Sequence, residues 1–155
     1  MKVKYDYYFG LPRKIVWKYI KDEKVLRNSL PGCKSFIESS RGVYQAEFEI
    51  NIGPIQDRLI LEIRLVDERS PSFYQLVVQG KSTLGEIDAK AGINIIELQG
   101  ESKLTISADA QLTGALALAG QRVLEGAANK GLEVFFRKME KEIKMSLYKL
   151  KKRGR

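Results

Sequence analysis

Residues 112–150 read LTGALALAGQRVLEGAANKGLEVFFRKMEKEIKMSLYKL, and this stretch decides the fold. It holds no proline, and its apolar and small residues recur at helical spacing. Leu116, Gly120, Leu124, Ala127, Gly131, Phe135, Met139, Ile143 and Leu147 fall near one stripe. Gln121, Arg122, Glu125, Asn129, Glu133, Arg137, Lys141 and Lys144 lie mostly off it. One long amphipathic helix is therefore expected from Leu112 to about Leu150. Its first half is small (Ala117, Ala119, Gly120, Ala127, Ala128, Gly131) and its second half bulky (Phe135, Phe136, Met139, Ile143). A glycine inside a helix costs roughly 1 kcal/mol against alanine. Gly120 and Gly131 therefore call for close packing against a neighbour or for an empty volume beneath the helix.

Upstream of this helix the period changes from helical to two. Residues 3–9 alternate Val3, Tyr5, Tyr7, Phe9 against Lys4, Asp6 and Tyr8, a strand ended by Gly10. Pro12 suits a first helical position, and Ile15, Val16, Tyr19 and Ile20 give the next segment an apolar face. Asp22 is placed to cap a second short helix, closed by Pro31-Gly32. Six strands then follow, separated by turns at Arg41-Gly42, Gly53-Pro54, Ser70-Pro71-Ser72, around 81–83 and at Gly100-Glu101. Their polar and apolar faces are distinct, as in a sheet wet on one side. The order β-αα-β6-α predicts an α+β helix-grip fold: a seven-stranded antiparallel sheet wrapped around the long C-terminal helix, with two short helices after the first strand. Residues 1–148 are expected to form one domain and 149–155 a basic tail.

The inward positions form a bland list. Leu59, Leu61, Ile63, Leu76, Val78, Ile87, Ala89, Ala91, Leu104, Ile106 and Ala108 on the strands face Leu116, Gly120, Leu124, Ala127 and Gly131 on the helix. These are the expected walls of a ligand cavity. Small residues opposed to small residues (Ala89, Ala91, Ala108 and Ala110 against Gly120, Ala127, Ala128 and Gly131) either bring helix and sheet close or leave space. A long helix on a curved sheet cannot touch it everywhere, which favours space over a filled core. No carboxylate or lysine interrupts this face, so an apolar small molecule fits better than buried acid–base chemistry.

Composition narrows the chemistry. The 155 residues are 44% hydrophobic and 30% charged, ordinary for a globular chain. The absence of histidine removes the commonest general base, the Ser-His-Asp and Cys-His machineries and the usual metal ligand. No metal site, cofactor or catalytic residue is expected. An enzyme would need an inward polar cluster, for example from Tyr44, Tyr74 or Arg58. Glu86 and Asp88 share the wet strand face with Lys90, so they read as solvated residues. Cys33 has no partner for an internal disulfide and reads as a small semi-buried residue. Trp17 is expected in the core or at a cavity mouth. MKVKYDYYFG lacks an apolar signal region, which points to the cytoplasm, with room for peripheral contact with the inner face of the membrane.

The net charge of +8 is concentrated at one end. Between Arg137 and Arg155 stand nine basic residues against Glu140 and Glu142, while residues 1–136 are nearly neutral. Lys144, Lys149, Lys151, Lys152, Arg153 and Arg155 are the expected contacts to an anionic membrane or a protein partner. Met145, Leu147, Tyr148 and Leu150 are interleaved with them and suit an interface. The same cations also complement the helix dipole. Nucleic acid is disfavoured because no aromatic platform or recognised module accompanies the charge.

Three stretches together resemble the carbon monoxide dehydrogenase G-subunit family of the START-like, polyketide-cyclase-like superfamily. They are Leu30-Pro31-Gly32-Cys33; Gly42-x-Tyr44 followed by Ile52-Gly53-Pro54-Ile55; and Leu112-x-Gly114-x-Leu116-Ala117-x-x-Gly120-x-Arg122 with Phe135-Phe136 beyond. The resemblance covers roughly residues 3–145. It implies a helix-grip fold with a hydrophobic cavity. It also implies a non-catalytic accessory role beside a molybdenum hydroxylase of the carbon monoxide dehydrogenase type, either recruiting it to the membrane or carrying a lipid or quinone. The superfamily also contains cyclase- and hydrolase-type enzymes acting on apolar substrates, the alternative reading. The charged run Gln56-Asp57-Arg58 departs from the less charged strand start expected there.

Overall fold

A computed structural model describes residues 1–154. Seven strands, β1 (Lys2–Phe9), β2 (Cys33–Ser40), β3 (Val43–Ile52), β4 (Ile55–Arg69), β5 (Phe73–Ser82), β6 (Gly85–Leu98) and β7 (Glu101–Leu112), form one antiparallel sheet. Its order is β1-β7-β6-β5-β4-β3-β2. Consecutive strands from β2 to β7 are neighbours, and β1 is added beside β7 with Val3 opposite Ala108 and Tyr7 opposite Leu104. That register continues the alternation across the sheet, so the odd-numbered residues of β1 and the even-numbered residues of β7 face the helix together.

Helices α1 (Arg13–Tyr19) and α2 (Glu23–Ser29) connect β1 to β2. Pro12 stands at the N-cap of α1 instead of at its first helical position. Asp22 caps α2 as expected, accepting a hydrogen bond from the Val25 amide at 3.0 Å.

The C-terminal segment differs from the single helix that periodicity predicts. A five-residue helix, α3 (Gly114–Leu118), is followed by a break, and α4 runs from Gln121 to Arg153. The break falls at Gly120, whose φ of 91° lies outside the range that a residue with a Cβ adopts readily. Gly120 therefore stands at the N-cap of α4 and not within a helix. Periodicity survives such a break because it records which residues face inward, not whether the ladder of hydrogen bonds is continuous. At the other end, helix continues beyond Leu150 to Arg153, into the segment read as a tail.

The core is concentrated under the second half of α4. Phe136, Met139 and Ile143 are essentially inaccessible and pack with Phe9, Trp17, Tyr74, Ile93, Ile95, Leu104 and Ile106. Phe136 stacks against Tyr5 and Tyr7 at ring-centroid distances of 6.0 and 5.6 Å and meets Phe9 edge-on at 6.1 Å. A smaller cluster of Phe36, Tyr44 and Ala46 lies toward the β2 edge. In the small-residue part of α4, from Gln121 to Gly131, Leu124 is the one residue that is buried. The two halves of the helix thus have different relations to the sheet.

Candidate ligand cavity and basic helix end

The first half of α4 and the strand ends beneath it enclose an open-mouthed cavity of about 610 Å³. Its floor is one cross-strand row in register: Leu61 opposite Gly80, Gly80 opposite Ile87, and Ile87 opposite Leu112. A Cβ on Gly80 would stand 2.5 Å from Leu61 Cδ2 and 3.3 Å from Leu59 Cδ1, so the glycine lets both leucines lie across the sheet. Leu116, Leu124, Ala127, Ala128, Gly131 and Val134 form the roof. Phe48, Ile50 and Ile52 of β3, with Pro31, form the side toward β2, and Met1 also touches the space. A Cβ on Gly131 would meet nothing within 4 Å. The small residues of this half of the helix border space instead of making a tight contact.

Part of the expected lining assembles here: Leu59, Leu61, Ile87, Leu116, Leu124, Ala127 and Gly131. The rest does not. Leu104 and Ile106 are buried in the main core, with Leu76, Ala91 and Ala108 packed against it, and Ile63 packs on the smaller cluster. Val78 and Ala89 pair with each other and border a shallow depression with outward residues such as Gln79 and Lys90. Gly120 is at the helix break and outside the lining. Alternation identifies the inward face correctly. It does not reveal which part of that face α4 covers tightly. Lys130, which sequence reasoning passed over, stands on the rim. Its spacing could have revealed it, since it is three residues after Ala127 and four before Val134 on the same helical face.

Next to Leu112 and Leu116 of the lining, two backbone segments come into close contact. Gly85 and Gly114 approach so closely that a Cβ on Gly85 would lie 2.0 Å from the Thr113 carbonyl oxygen. The Glu86 amide donates to Thr113 Oγ1 at 2.9 Å, and the Leu116 amide to the Leu84 carbonyl at 3.2 Å. Asp57, in the charged run that departs from the family pattern, fastens the same turn. It accepts from Thr83 Oγ1 at 2.7 Å and from the Leu84 amide at 3.2 Å. The Thr83 hydroxyl, followed by the Arg58 amide, holds its carboxyl below the usual carboxylate range. The charge is therefore a clamp on the turn between β5 and β6.

The residues considered for catalysis do not converge on the cavity. The Tyr44 hydroxyl donates to the Lys21 carbonyl at 3.1 Å, and burial, with Glu38 next, pushes its pKa up to about 12. Tyr74 is buried against Trp17 at 5.7 Å, and that burial raises its pKa. Arg58 is exposed and pairs with Glu47 at 3.6 Å. Trp17 is a core residue, with the Lys21 ammonium 4.4 Å from its ring centroid. Among the described residues no group of three or more metal-ligating side chains occurs.

The far half of α4 borders a second groove, of about 790 Å³, with Tyr7. Lys144, Lys149 and Lys152 line it together with Arg137, Lys141, Met145 and Tyr148. Lys151 and Arg153 are exposed on the same helical end, and Arg155 lies outside the described residues. Met145, Tyr148 and Leu150 are 45%, 67% and 53% exposed, so apolar and cationic surface are interleaved here. At the base of the groove Glu140 accepts from the Tyr7 hydroxyl at 2.8 Å and the Gly10 amide at 2.9 Å, and lies 3.2 Å from Lys144 Nζ. Burial pushes this carboxyl up, but the Gly10 amide, the Tyr7 hydroxyl and Lys144 outweigh it and hold it below its ordinary value. No helix of the described chain is long and apolar enough to cross a membrane.

Comparison with solved structures agrees with this architecture. A conserved protein from Geobacillus kaustophilus is 27% identical, with a TM-score of 0.89 over 94% of this chain and 97% of that one. A START superfamily protein from Mycobacterium smegmatis is 10% identical, with a TM-score of 0.72 over 93% and 97%. The Zhui aromatase/cyclase from Streptomyces sp. R1128 is 10% identical, with a TM-score of 0.69 over 95% of each chain. The last two likenesses are of fold alone. No curated protein sequence matches the chain. The family model for the carbon monoxide dehydrogenase G-subunit, CoxG, matches residues 10–144, spanning the β2–β3 region, the cavity and most of α4. The chain belongs to this carbon monoxide dehydrogenase G-subunit (CoxG) family.

Proposed function

We infer that this protein is a non-catalytic carrier of an apolar small molecule such as a lipid or quinone, acting beside an enzyme of the carbon monoxide dehydrogenase type. The observation that carries this reading is the cavity of about 610 Å³ between the small-residue half of α4 and the Leu61–Gly80–Ile87–Leu112 row. Its volume falls within the range of small-molecule sites, about 300–1,000 Å³, and its walls are mainly aliphatic. Lys130, exposed and in the lining, marks a place where the cavity meets solvent. Family membership supports association with a molybdenum hydroxylase. The basic, partly apolar end of α4 supports peripheral contact with anionic lipid, which holds the carrier where apolar molecules are dissolved. On this reading Leu59, Leu61, Ile87, Leu116, Leu124, Ala127 and Gly131 contact the ligand, and the cations from Lys144 onward contact the membrane or the enzyme.

The test is titration of the full chain with the neutral fluorophore Nile red, with native mass spectrometry of gently purified protein alongside. Saturable one-to-one binding and a co-purified apolar molecule are expected. Absence of both removes the carrier reading.

A further inference from the structure

We propose that the cavity selects a single-chain amphiphile with an anionic carboxylate head, whose chain lies beneath α4 and whose head pairs with Lys130 at the mouth. This rests on the carrier reading and names the ligand class for the same site. Two charged side chains border the cavity, Lys130 and Glu49. Glu49 is already engaged, since its carboxylate lies 3.4 Å from Lys34 Nζ. The Met1 ammonium is engaged as well, donating to the Ala110 carbonyl at 2.7 Å. Lys130 forms no ion pair or side-chain hydrogen bond among the described residues. The nearest acidic residue along its helix, Glu133, is taken by Arg137.

The position of this lysine is informative because of its neighbours. Ala127 and Val134, three residues before and four after, are apolar members of the roof. A cation on that face gains nothing from the aliphatic walls. It keeps its ammonium in water while its methylene stem covers apolar surface at the mouth. A carboxylate arriving there would meet an uncommitted charge on the rim, while its chain occupies space walled mainly by aliphatic side chains. Apolar sites commonly orient a ligand through a few placed polar groups of this kind. A neutral ligand would use the walls but not the lysine.

The experiment is displacement of Nile red by dodecanoate and by 1-dodecanol, both below their aggregation limits, from the wild-type chain and from Lys130→Met and Lys130→Arg. Lys130→Met is expected to weaken dodecanoate about fivefold, as loss of a partly exposed ion pair does, and to leave dodecanol unchanged. Lys130→Arg is expected to keep the wild-type affinity for dodecanoate. Equal losses for acid and alcohol, or no loss for the acid, overturn the proposal and leave the carrier reading standing. The same holds if the wild-type chain takes the alcohol and not the acid. If neither amphiphile nor Nile red binds, the carrier reading falls and this proposal with it.

Discussion

The Tyr7 hydroxyl donates to Glu140 Oε1 at 2.8 Å, joining the first strand to the last helix across 133 positions of sequence. The other carboxylate oxygen receives the Gly10 amide, which no longer has a strand partner once β1 has ended. One side chain thereby fixes the end of β1, the start of the α1 connection and the middle of α4. It sits beside the Phe136 aromatic cluster, at the boundary between the packed half of the molecule and the basic overhang.

Glu140→Gln is expected to destabilise the fold by about 1–2 kcal/mol at pH 7, because hydrogen bonds to a charged acceptor are replaced by neutral ones. The sign of the pH dependence follows from the lowered carboxyl. A depressed folded value contributes stability above the ordinary value of 4.5, and that contribution disappears as pH falls through the folded value. Urea unfolding of both proteins from pH 7 to pH 3 should show the gap between them closing on the acid side. A gap independent of pH would mean that packing, not charge, is what the substitution disturbs.

Ala127→Phe places a ring in the roof of the cavity. Nile red affinity should fall by at least about tenfold while the unfolding midpoint stays near that of wild type. Gly131→Ala is the companion variant. Its added methyl meets nothing within 4 Å, so ligand binding should persist and stability should rise by up to about 1 kcal/mol from helix propensity. Retained probe affinity in Ala127→Phe would place the probe elsewhere.

Two glycines separate strain from crowding. Gly114 has a φ of 64°, and a Cβ there would lie 2.6 Å from the Leu84 carbonyl oxygen, whereas Gly120 has a φ of 91° and open space around it. Gly120→Ala should cost about 1–2 kcal/mol from backbone strain alone. Gly114→Ala should cost more, since backbone must also move. Equal chemical-denaturation midpoints for the two variants would contradict this ranking.

Neutralising Lys149, Lys151 and Lys152 together as glutamine should reduce binding to vesicles of phosphatidylglycerol and phosphatidylcholine by on the order of tenfold or more at low salt. The remaining salt dependence should be shallower than that of wild type. Co-sedimentation at several ionic strengths measures both. Unchanged sedimentation would remove lipid from the roles of this helix end.

Much of the architecture is legible without coordinates. The strict alternation through 43–52 and 103–112, the Asp22 cap and the aromatic run at Phe135-Phe136 each act within a few residues of themselves. The cavity is legible only in part. Leu61 and Leu104 are equally apolar and equally inward, yet the first borders the cavity and the second is sealed in the core. The spacing of Lys130 puts it on the roof face, but a lone lysine on a helix ordinarily faces water, and its meaning depends on what lies beneath the neighbouring turns.

By itself the sequence determined the sheet, its wet and dry faces, the long C-terminal element and the placement of nearly all net charge at its end. Those properties follow from backbone periods of two and 3.6 residues, which each segment carries locally. The tertiary structure alone decided that the helix breaks at Gly120, that Gly80 admits Leu59 and Leu61 across the floor, and that the cavity lies under one half of α4. A rigid helix on a twisted sheet meets it closely at one end and departs from it at the other. The point of departure depends on how Phe136, Met139 and Ile143 seat against strands distant in the chain.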